Sequence, residues 1–357
     1  MFRSAVALLL LLPCGLFAEG RTQDVVLSFA VMGGCRMSTK DLIQQGSTNP
    51  SSANVPQLKR TLADLAGLRP VPSPFFCTGD IIDNLVPDAG QTLQSQLRAW
   101  KGLVAASPVW GHTELVVLPG NHETLMKRTV KPELPNLATY PVWSREFAGG
   151  GFNTSAGNGP LEGGLDRLSV DQNTTTFSYD RNGVHFVCVS TDSPTSEVDP
   201  ATGSPYTGWI PINWIRDDID RAQLNPAVRQ IFMLGHKPTK QPQMAEEGDA
   251  IQSNLSEQLV QSFLSHSKFR AYLTGHEHLW DAHRLAGQGT PWEIIIGNGG
   301  SKLNKHWKQP GQHYFGFTIV NVYRDGRVGI VNYRRPCPES YFSEDTQPAK
   351  PDAEFFL

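Results

Sequence analysis

Short apolar runs that stop at a glycine recur along this chain. Val25 to Met32, Phe75 to Thr78, Leu115 to Leu118, Ile231 to Leu234, Ala271 to Thr274 and Glu293 to Ile296 each have the length of a buried strand, and each runs into Gly33, Gly79, Gly120, Gly235, Gly275 or Gly297. Between the early strands, Leu58, Leu62 and Leu65, then Leu93, Leu97, Trp100 and Val104, repeat at helical spacing. Strand and helix alternate, which predicts a largely parallel first sheet with right-handed crossovers. Thr176 to Asp180 and Val184 to Ser190 flank Asn182-Gly183, a pair suited to a tight primed turn, so a hairpin is expected to open a second sheet. Ile212, Ile215 and Ile219, and later Leu255, Leu259 and Phe263, predict two more amphipathic helices. Phe315 to Tyr323 and Gly326 to Tyr333 look like closing antiparallel strands.

Two stretches break the rhythm. Thr124 to Thr176 is glycine-rich with little periodicity, and is expected to be a long loop lying over the substrate side as a lid. The tail, residues 336–357, is polar and proline-rich and is expected to be disordered. No repeat or interdomain linker appears, so residues 21–335 are expected to form one domain.

Composition narrows the function. The 357 residues carry 31 basic and 34 acidic side chains with no block of like charge, which gives no nucleic-acid footprint. Residues 1–20 combine Arg3, an apolar run from Ala5 to Leu12, Pro13 and small residues through Ala18 and Gly20, the pattern of a signal peptide. The run is too short for a transmembrane anchor, and Pro13 makes Cys14 a poor lipid-attachment site. The mature chain is therefore expected to be secreted or periplasmic. Cys35, Cys77 and Cys188 fall in or at the ends of apolar strands, where cysteine acts as a small buried hydrophobe, and Asn153, Asn173 and Asn254 begin N-x-Ser/Thr sequons.

The residues after the glycines carry the chemistry. In order the strand ends supply Gly34 and Arg36, Asp80, Asn121 and His122, His236, and His276 with His278. Oxygen and imidazole donors without paired cysteines suit an open site for a divalent ion such as Mn, Fe or Zn rather than a closed structural zinc. His276 and His278, two apart, point the same way from an extended backbone.

This series resembles the calcineurin-like metallophosphoesterase superfamily, whose blocks are D-x-H, GD-x-x-D/N, GNH-D/E, GH and GHxH. The later four match as Gly79, Asp80 and Asp83; Gly120 to Glu123; Gly235 and His236; and Gly275 to His278. The resemblance implies an α/β fold in four layers, a two-sheet β-sandwich flanked by helices (α/β/β/α). It implies Asp80 bridging two metals, with Asn121, His236 and His276 completing the second site and His278 serving the first. It also implies substrate contact by Asn121 and His122, with His122 catalytic as proton donor or transition-state support, and hydrolysis of a phosphate mono- or diester by metal-activated water. Asp83 would be structural or a partner to these groups, and Lys237 would be a solvated cation or a phosphate contact.

The first block departs. Where D-x-H is expected stands Gly34-Cys35-Arg36: glycine has no donor atom, arginine stays protonated, and Cys35 alternates away into the core. Arg36 either occupies the first metal position, pairs with Asp80 and binds substrate phosphate, or points to solvent. One tight metal is expected, with the other doubtful. That leaves either an impaired phosphoesterase or a catalytically silent metal- and phosphate-binding protein of the same fold.

Overall fold

A computed structural model describes residues 24–44, 49–127, 133–242, 250–307, 313–338 and 343–357. The signal peptide expected over residues 1–20 lies outside the described residues.

The first half of the chain builds one sheet and its covering helices. β1 (Val25–Met32) is followed by α1 (Thr39–Gln44), α2 (Val55–Gly67), β2 (Phe75–Thr78), α3 (Gln91–Ala105), β3 (Leu115–Leu118) and the four-residue α4 (Asn121–Thr124). β4 (Leu125–Met126) and β5 (Leu134–Pro135) pair as a small hairpin, and α5 (Thr139–Phe147) and β6 (Phe152–Asn153) follow. The second half runs β7 (Phe177–Arg181), β8 (Val184–Cys188), α6 (Ile212–Leu224), β9 (Gln230–Leu234), α7 (Ser253–Ser265), β10 (Phe269–Thr274), β11 (Trp280–Arg284) and β12 (Trp292–Ile296). β13 (Tyr314–Tyr323), β14 (Val328–Pro336), β15 (Lys350–Pro351) and β16 (Phe355–Phe356) complete it.

One sheet has the order β15-β14-β13-β1-β2-β3-β6, with β16 also on β14, and the other β11-β12-β10-β9-β8-β7. β1, β2, β3 and β6 run parallel, as do β8, β9, β10 and β12, so their carboxyl ends lie together. The alternation of side chains sorts the core into layers. Phe29, Val31, Phe76, Val116 and Leu118 from the first sheet meet Phe186, Phe232, Leu234 and Leu273 from the second. Phe29 stands edge-on to Phe76, Phe186 and Phe232, with ring centroids 5.7, 5.1 and 5.4 Å away. The opposite face of the first sheet (Ala30, Phe75, Cys77, Val117) packs on α2, α3 and α5, and that of the second (Val187, Ile231, Met233, Tyr272) on α6 and α7. The four-layer α/β/β/α expectation holds.

Two expectations need correction, and one strand was not expected at all. The segment from Thr124 to Thr176 is not structureless: Tyr140, Trp143 and Phe147 sit one helical face apart on α5 and are buried, and Glu146 of α5 accepts from Gln94 and Arg98 of α3. Flanking glycines hide that short period. β11 went unforeseen because its half-buried pattern, Trp280 to Arg284, has no apolar run; it pairs antiparallel on the edge of β12. The tail is not wholly disordered either. Lys350–Pro351 and Phe355–Phe356 pair with β14, and the Phe355 ring lies 5.6 Å from that of Trp292. β14 would otherwise offer an open edge, and covering it satisfies both the ladder and the aromatic surface.

Candidate metal centre

The carboxyl ends of β2 and β3 in one sheet and of β9 and β10 in the other deliver Asp80, Asn121, His236 and His276 to one point. Around Nε2 of His236 lie Asp80 Oδ1, Asn121 Oδ1 and His276 Nδ1, each at 3.1 Å. The opposite nitrogen, Nδ1, donates to the Thr78 carbonyl at 2.7 Å, which leaves Nε2 with its lone pair inward. Asn121 is oriented likewise: its Nδ2 faces Glu133 at 3.4 Å, so its Oδ1 turns to the cluster. Four lone-pair donors thus converge at the spacing of ligands about one cation, and Asp80, His236 and His276 form a candidate metal site. The chemistry of the donor set fits a divalent ion.

Charges respond accordingly. Burial pushes the Asp80 carboxyl up, but His236, His122 and Arg36 outweigh it and hold it well below the usual range. Burial disfavours a charged His236, yet the Asp80 carboxylate raises it above its ordinary value. His276 is driven well down, by burial first and then by the charge of His236.

The loops that hold the ligands are tight. Asp80 and His276 both adopt left-handed backbone, φ 54° and 58°, which costs a side-chain-bearing residue about 1–2 kcal/mol and recurs at functional sites. At Gly79 (φ 88°) a Cβ would lie 2.5 Å from Gly120 N and 2.7 Å from His236 Nδ1, so only glycine lets the two loops and the imidazole close together. Glu123, 1% exposed, pins them. Its carboxylate accepts from the backbone N–H groups of Asp80 (2.9 Å), Ile81 (2.9 Å), Ile82 (3.1 Å) and Gly120 (2.7 Å). Glu123 closes the GNH-D/E block of the sequence, and the signal for its anchoring task is an acidic residue three beyond Gly120, which caps α4.

The remaining candidates surround this cluster. His122 is buried, its backbone N–H donates to Asp80 Oδ1 at 3.2 Å, and its Nδ1 lies 3.0 Å from Asp83 Oδ1. Burial and then Arg36 lower its pKa. Asp83 also accepts from the backbone and hydroxyl of Thr39, at 2.7 and 2.8 Å. Arg36 does not point to solvent: its Nε donates to Asp80 Oδ2 at 3.0 Å, and Nη1 reaches Asp83 Oδ1 at 3.5 Å. His278 stands apart from the four converging donors. Its Nδ1 donates to the Lys302 carbonyl at 2.9 Å, its buried Nε2 has no hydrogen-bond partner among the described residues, and burial with Arg36 holds its pKa down to about 3. Lys237 is no solvated cation; it is fully buried, and its Nζ donates to Asp192 Oδ1 at 2.7 Å.

A family model described as calcineurin-like phosphoesterase matches residues 51–280, beginning after the altered first block. Among solved structures, the purple acid phosphatase of yellow lupin (Lupinus luteus) seeds is 14% identical with a TM-score of 0.56, the match covering 90% of this chain and 53% of that one. This chain therefore spans about half the length of the lupin protein. PhoD is 12% identical over 92% of this chain and 69% of its own, with a TM-score of 0.58. A dimetal phosphatase from Danio rerio is 14% identical over 87% and 96%, with a TM-score of 0.50. At such identities these structures share the fold. No curated protein sequence matches.

Proposed function

The chain belongs to the calcineurin-like phosphoesterase family, and from that premise we propose that it is an exported, metal-dependent phosphoesterase whose ion is held by Asp80, Asn121, His236 and His276. The observation that carries the proposal is the meeting of Asp80 Oδ1, Asn121 Oδ1 and His276 Nδ1 at 3.1 Å around His236 Nε2. Bound there, a divalent ion supplies Lewis acidity and brings the pKa of water from 15.7 towards about 7.

The chain's own residues do the rest. His122, beside the cluster on α4, hands a proton to the leaving oxygen or steadies charge on the phosphoryl group. Asp83 holds the imidazole of His122 from behind, while Asp83 is itself fixed by Thr39. Arg36 and Asn121 orient substrate phosphate, the guanidinium contributing its positive charge beside Asp80. Glu123 keeps Asp80 and Gly120 at the separation the ligands need.

Export is supported by the first twenty residues, where Arg3 precedes a short apolar run and then small residues. Intact-mass measurement of the mature chain is expected to place its start between Glu19 and Thr22; a lipid on Cys14 or a retained Met1 contradicts export by cleavage.

A second proposal, a binding protein without turnover, draws on the replacement of the first block by Gly34 and Arg36. Turnover of aryl phosphate esters separates the two. Metal-dependent hydrolysis that falls with His122→Ala supports the enzyme, and metal and phosphate binding without hydrolysis supports the binding protein.

A further inference from the structure

Family resemblance implies two ions, and the residues at this chain's first position do not fit one of them. We propose that the Arg36 guanidinium permanently occupies the first position and that the backbone at Gly34 closes it, so that the centre is mononuclear by construction; this rests on the phosphoesterase proposal above.

Asp80 divides its carboxylate. Oδ1 faces His236 at 3.1 Å, while Oδ2, the oxygen that a bridging role would give to another ion, takes the Arg36 Nε–H at 3.0 Å. Arg36 is half-buried and its Nη1 lies 3.5 Å from Asp83, so two carboxylates fix the guanidinium from two sides. Its charge therefore sits where the first cation would, without the capacity to ligate or to acidify water.

Simple loss of donors is only half of the change. Residues 33–35 are held on both sides by backbone hydrogen bonds: Gly34 N to Gly79 O (3.2 Å), Cys35 N to Asp80 O (3.0 Å), Gly299 N to Gly33 O (3.0 Å) and Ser301 N to Gly34 O (2.8 Å). Gly34 has φ +61°, and a Cβ there would meet Gly297 O at 2.5 Å and His278 Cδ2 at 3.4 Å. A carboxylate at position 34 thus requires the strap to be rebuilt. Cys35 offers no substitute, because its side chain lies in the helix-side core. Among the described residues, what remains is His278 Nε2 and the carboxylate oxygens of Asp80 and Asp83 already paired with Arg36, a set too poor to hold a divalent ion tightly.

The test is manganese stoichiometry, by equilibrium dialysis with elemental analysis, and the paramagnetic resonance signal that distinguishes an isolated from a coupled ion. It is run on the full mature chain and on Arg36→Met, Arg36→His and the double variant Gly34→Asp/Arg36→His, with inorganic phosphate affinity and thermal stability measured alongside. The expected result is one isolated ion in the unaltered chain and in both single variants. Inorganic phosphate should bind at least about tenfold more weakly to Arg36→Met, since a charge-assisted pair is lost. The double variant should melt lower and gain no second ion. A coupled pair of ions in the unaltered chain overturns the occupancy by Arg36, and a coupled pair in Arg36→Met, where the guanidinium is gone, overturns the closure at Gly34. Two ions in a double variant that melts like the parent overturns the closure at Gly34. Should the double variant fail to fold, Arg36→His still decides, because a second tight ion there is enough to refute the proposal. A folded parent that binds no ion refutes the phosphoesterase proposal as well, which keeps the two failures apart.

Discussion

Arg36 and Asp80 form an ion pair in which Nε donates to Oδ2 at 3.0 Å, on the far side of the same carboxylate whose Oδ1 lies 3.1 Å from His236. One buried aspartate therefore serves a guanidinium and a cluster of lone pairs at once. Removing either partner leaves the other uncompensated.

Glu123 is the mechanical centre of this arrangement. Glu123→Ala strips four buried backbone N–H groups of their acceptor. We expect a loss of about 3 kcal/mol or more in unfolding free energy, since each unsatisfied buried donor costs about 1–3 kcal/mol. Metal affinity should fall with it, because Asp80 and Gly120 lose their common anchor. Denaturant unfolding of the metal-free chain checks this, and a loss of less than about 1 kcal/mol would show that Glu123 does not carry the loops.

For His122 the expectation is a split between binding and turnover. His122→Ala should lower kcat roughly a hundredfold or more, the usual worth of a positioned proton donor, with the bound metal unchanged. Steady-state kinetics and elemental analysis on one preparation suffice. Equal loss of metal and rate would instead make His122 part of the ion's scaffold.

A second histidine gives a pH signature away from the metal. The His185 Nδ1 lies 2.6 Å from Asp180 Oδ1 and its Nε2 2.9 Å from Asp218 Oδ2, with Ser178 and Arg221 also on Asp218. Burial disfavours the imidazolium, but Asp218 and then Asp180 raise its pKa overall. A raised folded pKa contributes stability that is fully present below the unfolded value, about 6.5, and is lost as pH rises through the folded one. The melting temperature of the parent should therefore exceed that of His185→Gln most at about pH 6 and converge on it as pH climbs beyond the raised pKa. A gap that widens with pH would contradict the assignment.

Much of this architecture was legible because strand ends advertise themselves. A four- or five-residue apolar run that ends in glycine identifies both the strand and the place where its next side chain enters the site, as at Phe75 to Asp80 and Ile231 to His236. α5 was missed for the opposite reason: Tyr140, Trp143 and Phe147 mark one helical face, but glycines nearby and the missing strand-helix rhythm favour a loop. The buried Lys237–Asp192 pair could not be foreseen, because Asp192 lies 45 residues earlier in sequence and only the packing of β8 beside β9 brings it near. The choice between solvent and site for Arg36 is undecided in the sequence for the same reason. Its side chain follows from where the loop after β1 lands against Asp80 and Asp83, a tertiary fact that no local pattern encodes.

The most direct measurement is hydrolysis of an aryl phosphate monoester and a diester by the purified mature chain, before and after chelation and with manganese restored. Slow turnover that chelation abolishes, manganese restores and His236→Ala removes is the result predicted. Turnover that survives chelation and His236→Ala alike, or none in a chain shown to hold its ion, would contradict a metal-dependent phosphoesterase built on Asp80, Asn121, His236 and His276.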